Sequence, residues 1–267
     1  MATSVSTDIT HTLPARGPIR IVTATSLYDG HDAAINIMRR ILLDAGAEII
    51  HLGHNHAAMD IARAAVQEDV DAIAVSSYQG GHNEFFPYML ELLRDAGAGH
   101  IQVFGGGGGV IVPREISELE AQGVAKIYSP EDGRRLGLVG MIDDLLDRTI
   151  KARKPLEPDA NLLMDNPLSL ARCLSIVEAA AESASERRRS LLARLKENNH
   201  SAHTTPVIGI TGTGGAGKSS LVDEIVLRFL HDFPDKRVAI LSCDPTRKRT
   251  GGALLGDRIR INSATNH

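Results

Sequence analysis

The sequence predicts an α/β protein: a flavodoxin-like, doubly wound parallel sheet, then a helical linker, then the start of a P-loop NTPase α/β domain. Three observations carry this. Short apolar runs alternate with segments of helical spacing throughout residues 19–150, and such alternation marks βα units with parallel strands covered on both faces. The alternation breaks over 151–205. It resumes at Pro206 with an apolar run leading into Gly212-Thr213-Gly214-Gly215-Ala216-Gly217-Lys218-Ser219, a match to G-x-x-x-x-G-K-[ST].

Each element follows from its residues. Residues 1–18 are rich in Ser and Thr and read as a disordered leader without the apolar core of a signal peptide. Ile19, Ile21 and Val22 mark a first strand over 19–24. Ile35, Met38, Ile41 and Leu42 recur at helical spacing over 34–45, and Gly46 ends that helix. A second strand is expected at 48–52 and a helix at 59–68; a third, buried strand at 72–76 and a helix at 85–95. The fourth strand, 101–104, runs into Gly105 to Gly109 and a helix around 115–122. A short fifth strand at 125–128 and a helix at 134–148 close a first domain of residues 19–150. Residues 151–205 read as the linker, where Leu170, Cys173, Leu174, Val177 and Ala180 form a stripe on one helix-favouring segment. From Pro206, a strand at 207–211, a helix at 219–229 and a strand at 237–242 are expected. The span 206–267 falls short of the ~100–150 residues of an ordinary domain, so this second domain is expected to be incomplete.

Bulk properties exclude several classes. A net charge of −4 gives no electrostatic case for nucleic acid or anionic membrane, and the absence of tryptophan argues against base-stacking platforms. No apolar run approaches the ~18 residues of a membrane span. Two distant cysteines, Cys173 and Cys243, make no metal or redox motif, which fits a reducing, cytoplasmic setting.

The chemistry gathers at strand ends. Asp29-Gly30-His31 lies at the first strand-to-helix junction, where open α/β sheets bind ligands. A histidine with an aspartate two residues upstream has the parts of a metal–imidazole–carboxylate relay: one ring nitrogen for a metal, the other donating to the carboxylate. The following loops carry His54-Asn55-His56, then Ser76-Ser77-Tyr78 with Gly80-Gly81-His82, then Gly105, Gly106 and Gly107 at the head of five glycines. Glycines at a strand end let a bulky ligand approach the backbone. The histidines at 51, 54 and 56 suggest no complete zinc set. In the P-loop, Gly215, Ala216 and Gly217 supply backbone amides with Ser220 opening the helix, Lys218 reaches the β- and γ-phosphates, and Ser219 offers a hydroxyl to Mg²⁺. Asp244, at a strand end, and Asp257 and Arg260, after Gly251-Gly252, are further candidates for metal and nucleotide.

Asp29-x-His31, Ser76-x-Tyr78 and Gly105-Gly106 resemble the cobalamin-binding domain of the methylmalonyl-CoA mutase family. That resemblance implies His31 as the lower cobalt ligand, Asp29 as its hydrogen-bond partner, and Ser76 and the glycines as the lining of a slot for the displaced nucleotide tail. Two departures stand out: Ala34 replaces the glycine of D-x-H-x-x-G, and Tyr78 replaces the leucine of S-x-L. Both narrow the slot. The stretch Cys243-Asp244-Pro245-Thr246 and the run from Thr250 to Arg260 resemble the metallochaperone GTPases that service these mutases. By that resemblance Ser219, Asp244 and Asp257 are Mg²⁺ ligands, Arg260 a nucleotide contact and GTP the nucleotide.

The order of the two modules is similar to that of the fused isobutyryl-CoA mutase family. It implies an adenosylcobalamin-dependent radical interconversion of isobutyryl-CoA and n-butyryl-CoA, with GTP hydrolysis gating cofactor loading. It also implies a substrate barrel absent from these residues, and a homodimer at full length. Two alternatives remain open from the residues: a cobalamin-binding regulator or carrier with a nucleotide switch, and a flavin-binding flavodoxin-like domain joined to an ordinary NTPase.

Overall fold

The computed structural model describes residues 17–31, 33–154, 166–182, 193, 205–241 and 253–254. Strands β1 (Arg20–Ser26) and β3 (Ala72–Ser76) are buried almost throughout, as central strands covered on both sides must be. With β2 (Glu48–His56), β4 (Gln102–Gly106), β5 (Lys126–Tyr128) and β6 (Ala253–Leu254), they form one parallel sheet in the order β5-β4-β3-β1-β2-β6. From β1 the chain steps one way to β2 and the other way to β3. The crevice beyond the carboxyl ends of β1 and β3 is therefore the topological switch point, where such sheets hold ligands.

Side chains alternate between two cores. Val22, Ile50, Ile73, Val75, Val103 and Ile127 face α2 (Ala58–Gln67), α3 (His82–Asp95) and α4 (Pro113–Ala121). Ile21, Ile49, Ala72, Ala74 and Phe104 face α1 (Ala33–Asp44) and α5 (Pro130–Ala152). At the end of the sheet away from the crevice, Asp71 accepts from Arg20 N (3.1 Å) and from Arg153 Nε (3.0 Å), and Arg153 also reaches the carbonyls of Gly17 and Pro18. Helix α6 (Pro167–Glu182) packs on α2, buries Leu168, Ala171, Cys173 and Ile176, and pairs Glu178 with Arg20 at 3.1 Å.

The structure adjusts several expected boundaries. β2 runs on to His56, so His54, Asn55 and His56 belong to the strand and not to a loop. Register shifts against β1, with Gly53 and Asn55 at positive φ, bend it there. Gly105 and Gly106 are strand residues paired with Val75 and Ser76. α3 starts at His82, and α5 starts at Pro130 behind a Ser129 cap, with a non-helical break at Gly137. No strand is assigned to 205–213 or 236–241, where strands were expected, and Val207, Ile208 and Leu241 are exposed. A parallel strand exists through its ladder, and among the described residues neither run has one. In their place β6, unforeseen, pairs Ala253 and Leu254 with Glu48 and Ile49. Residues 1–16, most of 183–204, and Asp244, Asp257 and Arg260 lie outside the described residues.

The glycine run has a packing reason at three of its positions. A Cβ on Gly105 would lie 2.5 Å from Phe86 Cζ, and one on Gly107 2.1 Å from the Ser77 carbonyl oxygen. One on Gly108, at φ +58°, would lie 2.7 Å from Tyr78 Cε1. At Gly109 nothing lies within 4 Å, and at Gly106 the nearest neighbour is the Tyr128 carbonyl oxygen at 3.6 Å. The backbone at Gly107 cannot retreat, because Ser77 N–H donates to the Gly106 carbonyl at 2.7 Å.

Two expectations follow. Gly107→Ala should cost about 1–3 kcal/mol through overpacking, and Gly109→Ala almost nothing, as urea denaturation will show. The second concerns Glu115, which holds the start of α4 to that of α3. Val112 N–H (3.0 Å), the Asn83 amide (3.1 Å) and His82 Nε2 (3.0 Å) bind its carboxylate and lower its pKa to about 2. A depressed carboxylate stabilises fully above its unfolded value and ceases to do so as the pH falls through about 2. Glu115→Gln should therefore lower the melting temperature at pH 6, and the gap from wild type should close as the pH approaches 2.

Candidate functional site

The loop after β1 is set by a short chain of hydrogen bonds. Thr25, fully buried, donates its hydroxyl to the Asp29 carbonyl (2.8 Å) and accepts from Asn55 N–H (3.1 Å). Asn55 in turn accepts from Tyr28 N–H at 2.8 Å through its side-chain oxygen. Tyr28 takes φ 63°, a conformation uncommon outside glycine, which turns the chain sharply enough to bring Asp29 under the sheet edge.

Asp29 is fully buried and fully used. Oδ1 accepts from His31 N–H (2.8 Å) and pairs with His31 Nδ1 (2.9 Å), while Oδ2 accepts from Tyr78 N–H at 2.6 Å. A carboxylate only accepts, so the shared proton belongs to Nδ1 and the lone pair of the ring to Nε2. The imidazole is 63% exposed, at the switch point, with its ring centroid 5.6 Å from that of Tyr78. An imidazole oriented by a buried carboxylate, with its other nitrogen open to solvent, is the donor a transition metal requires.

Beside it, a cavity of about 220 Å³ opens between the sheet and helices α1 and α5. Its walls include Ala34, Met38, Ser76, Tyr78, Phe104 and Met141. The lining is mainly apolar, which suits an aromatic group better than a phosphate. The structure thus brings Asp29, Gly30, His31, Ser76, Tyr78, Gly105, Gly106 and Gly107 to one edge. Of the glycines, Gly30 and Gly106 leave backbone open to a ligand, whereas Gly105 and Gly107 make room for protein atoms. An outward imidazole beside a mainly apolar cavity is an arrangement that fits a cobalt corrinoid.

Other histidines serve the fold. His51 Nδ1 meets the Thr23 hydroxyl at 2.9 Å, and His56 Nε2 donates to the Leu52 carbonyl at 2.7 Å. Among the described residues no three His, Cys, Asp or Glu side chains cluster as metal ligands. Thr25 escaped sequence reasoning, and Asn55 was quoted only within His54-Asn55-His56, without a role of its own. The usable signal was an asparagine between two histidines at the end of an apolar run. Ser77 was quoted only as part of a run, yet its hydroxyl accepts from Ser26 Oγ at 3.0 Å and ties the two loops together.

The phosphate loop forms locally. Gly215 and Gly217 take φ 77° and 79°, and α7 (Lys218–Asp232) begins directly after Gly217. Lys218 folds back to donate Nζ to the Thr213 carbonyl at 2.7 Å, which closes the loop over the backbone amides at the helix start. Ser219 and Ser220 lie in the first turn of that helix, next to the glycine turn.

Residues 19–133 match the family model described as a B12 binding domain, and residues 170–267 match that of the methylmalonyl Co-A mutase-associated GTPase MeaB. The chain is 56% identical over 248 residues to a fused isobutyryl-CoA mutase of Geobacillus kaustophilus, covering 92% of this chain and 23% of that protein. It is 54% identical over 262 residues to one of Cupriavidus metallidurans, covering 96% and 23%. It thus spans under a quarter of the length of these relatives. The pivalyl-CoA mutase small subunit of Xanthobacter autotrophicus is 38% identical over 118 residues, 44% of this chain and 77% of that one. With both family models matched in this order, and these identities over nearly its whole length, the chain belongs to the fused isobutyryl-CoA mutase family.

Proposed function

We propose that this chain supplies the cofactor-binding and nucleotide-binding parts of an adenosylcobalamin-dependent mutase that interconverts isobutyryl-CoA and n-butyryl-CoA. Residues 19–150 are the cobalamin-binding domain, 151–205 the linker and 206–267 part of the GTPase domain. The observation that carries the reading is the buried Asp29 carboxylate holding His31 by Nδ1, with Nε2 turned outward beside an apolar cavity.

The radical chemistry of the rearrangement belongs to the cofactor when it is bound. The chain's own residues do the rest. His31 Nε2 would be the protein donor that holds cobalt. Asp29 fixes the tautomer and the orientation of the ring. Ser76, Tyr78 and the backbone at Gly105, Gly106 and Gly107 would border the space for the nucleotide tail, and Gly30 would leave its backbone open to the cofactor. In the second domain the amides from Gly215 to Ser220 cradle the phosphates of GTP. Lys218 exchanges the Thr213 carbonyl for phosphate oxygens and stabilises charge on them during hydrolysis. Ser219, Asp244 and Asp257 hold Mg²⁺, and Arg260 contacts the nucleotide. The acyl-CoA substrate binds a barrel outside these residues, and the full-length protein is a cytoplasmic homodimer. No helix among the described residues is long and apolar enough to cross a membrane.

Electron paramagnetic resonance of the chain loaded with cob(II)alamin tests the central assignment. Superhyperfine splitting should change on ¹⁵N-histidine labelling and vanish in His31→Ala. Splitting indifferent to the label would remove His31 from cobalt and favour a carrier that leaves the cofactor its own base. Asp29→Asn should weaken cobalamin binding by about 10–100-fold, the usual effect of losing a partner behind a metal ligand, as visible-absorbance titration will read. Lys218→Ala should weaken binding of a fluorescent GTP analogue at least about tenfold, since a charged hydrogen bond is worth about 1.5–3 kcal/mol.

A further inference from the structure

We propose that Tyr78 is the specificity residue of the cobalamin site: its ring closes the way from His31 into the cavity and must turn aside before a nucleotide tail can enter. This rests on the cobalamin reading of that site. Tyr78 touches both halves of it, with its ring 5.6 Å from the His31 ring at a 41° tilt and its side chain forming part of the cavity wall. The glycine run is shaped around this ring, since a Cβ on Gly108 would lie 2.7 Å from Tyr78 Cε1.

Size decides that the ring must move. Pockets that bury drug-sized ligands run to roughly 300–1,000 Å³. A cobalamin tail, with its benzimidazole, ribose and phosphate, is of that size, and the cavity holds about 220 Å³. The far walls cannot yield, because Phe104, Met141 and Leu145 are buried core. The main chain at Tyr78 cannot yield either, because its N–H donates to buried Asp29 Oδ2 at 2.6 Å. What is left is rotation about the side-chain bonds of Tyr78. The residue is half-buried, and its hydroxyl has no hydrogen-bond partner among the described residues, so rotation breaks few contacts.

The consequence is selective. A site competent for only a fraction of the time has its apparent affinity reduced by that fraction. The reduction applies to corrinoids with a tail and not to those without one.

The test titrates the whole chain with aquacobalamin and with tail-less diaquacobinamide, read by visible absorbance. Four proteins are compared: wild type, Tyr78→Leu, Tyr78→Phe and Tyr78→Trp. Tyr78→Leu should bind cobalamin about tenfold more tightly and Tyr78→Trp about tenfold more weakly, with cobinamide within twofold of wild type in both. Tyr78→Phe, which keeps the ring, should match wild type and, with Tyr78→Trp, carries the test if the leucine variant misfolds. Equal shifts for the two corrinoids would overturn the proposal, because Tyr78 would then act on His31. No shift for either would overturn it as well. If wild type binds neither corrinoid, the cobalamin reading itself falls and takes this inference with it.

Discussion

One carboxylate organises the working edge of this molecule. Asp29 is removed from water and accepts from three N–H groups: two on His31 and the main-chain amide of Tyr78. Those donors come from loops after two different strands, β1 and β3, that face each other across the switch point. A buried carboxylate is tolerable when its oxygens are satisfied, and without the Tyr78 amide Oδ2 would be left unpaired in a dry site. The cost of incomplete satisfaction therefore holds the two loops in register. The imidazole orientation is a by-product of the same requirement.

Around that carboxylate, functional geometry and packing share the same atoms. Gly105 lets Phe86 and Ile127 approach the sheet, Gly107 lets Ser77 do so, and Gly108 makes room for Tyr78. The run looks from the sequence like an open trough for a ligand. Much of it is occupied by protein, and the ligand-accessible backbone is confined to fewer positions. The cavity lies on the other side of the sheet from Phe86, between strands and helices α1 and α5. Its wall is thus part of the second hydrophobic core.

The sheet was legible because parallel strands covered on both faces must be continuous apolar runs, and 72–76 and 19–24 are such runs. Helix starts were less so: α5 begins at Pro130 because Ser129 and Asp132 cap it reciprocally, a local signal weaker than the later apolar spacing. The Asp29–His31 pairing was legible from spacing alone, since two residues is the reach of a side chain turning back on its own loop. The amide of Tyr78 was not, because it depends on how two loops 49 residues apart meet. The strands expected near 207–211 and 237–242 show the limit of periodicity. An apolar run states a preference, and a neighbour's ladder decides whether it is met.

The docking of α6 bears on where one module ends and the next begins. The match to the GTPase family starts at residue 170, inside this helix. Yet Leu168 is part of the core beneath α2 and α3, and Glu178 reaches across to Arg20 at the root of β1. Similarity thus draws its line through a helix that is packed into the first module. Severing the chain at that line would strip a hydrophobic plug from that module. A pull on α6 is felt through Glu178 and Arg20 at the foot of β1, the strand whose far end presents His31.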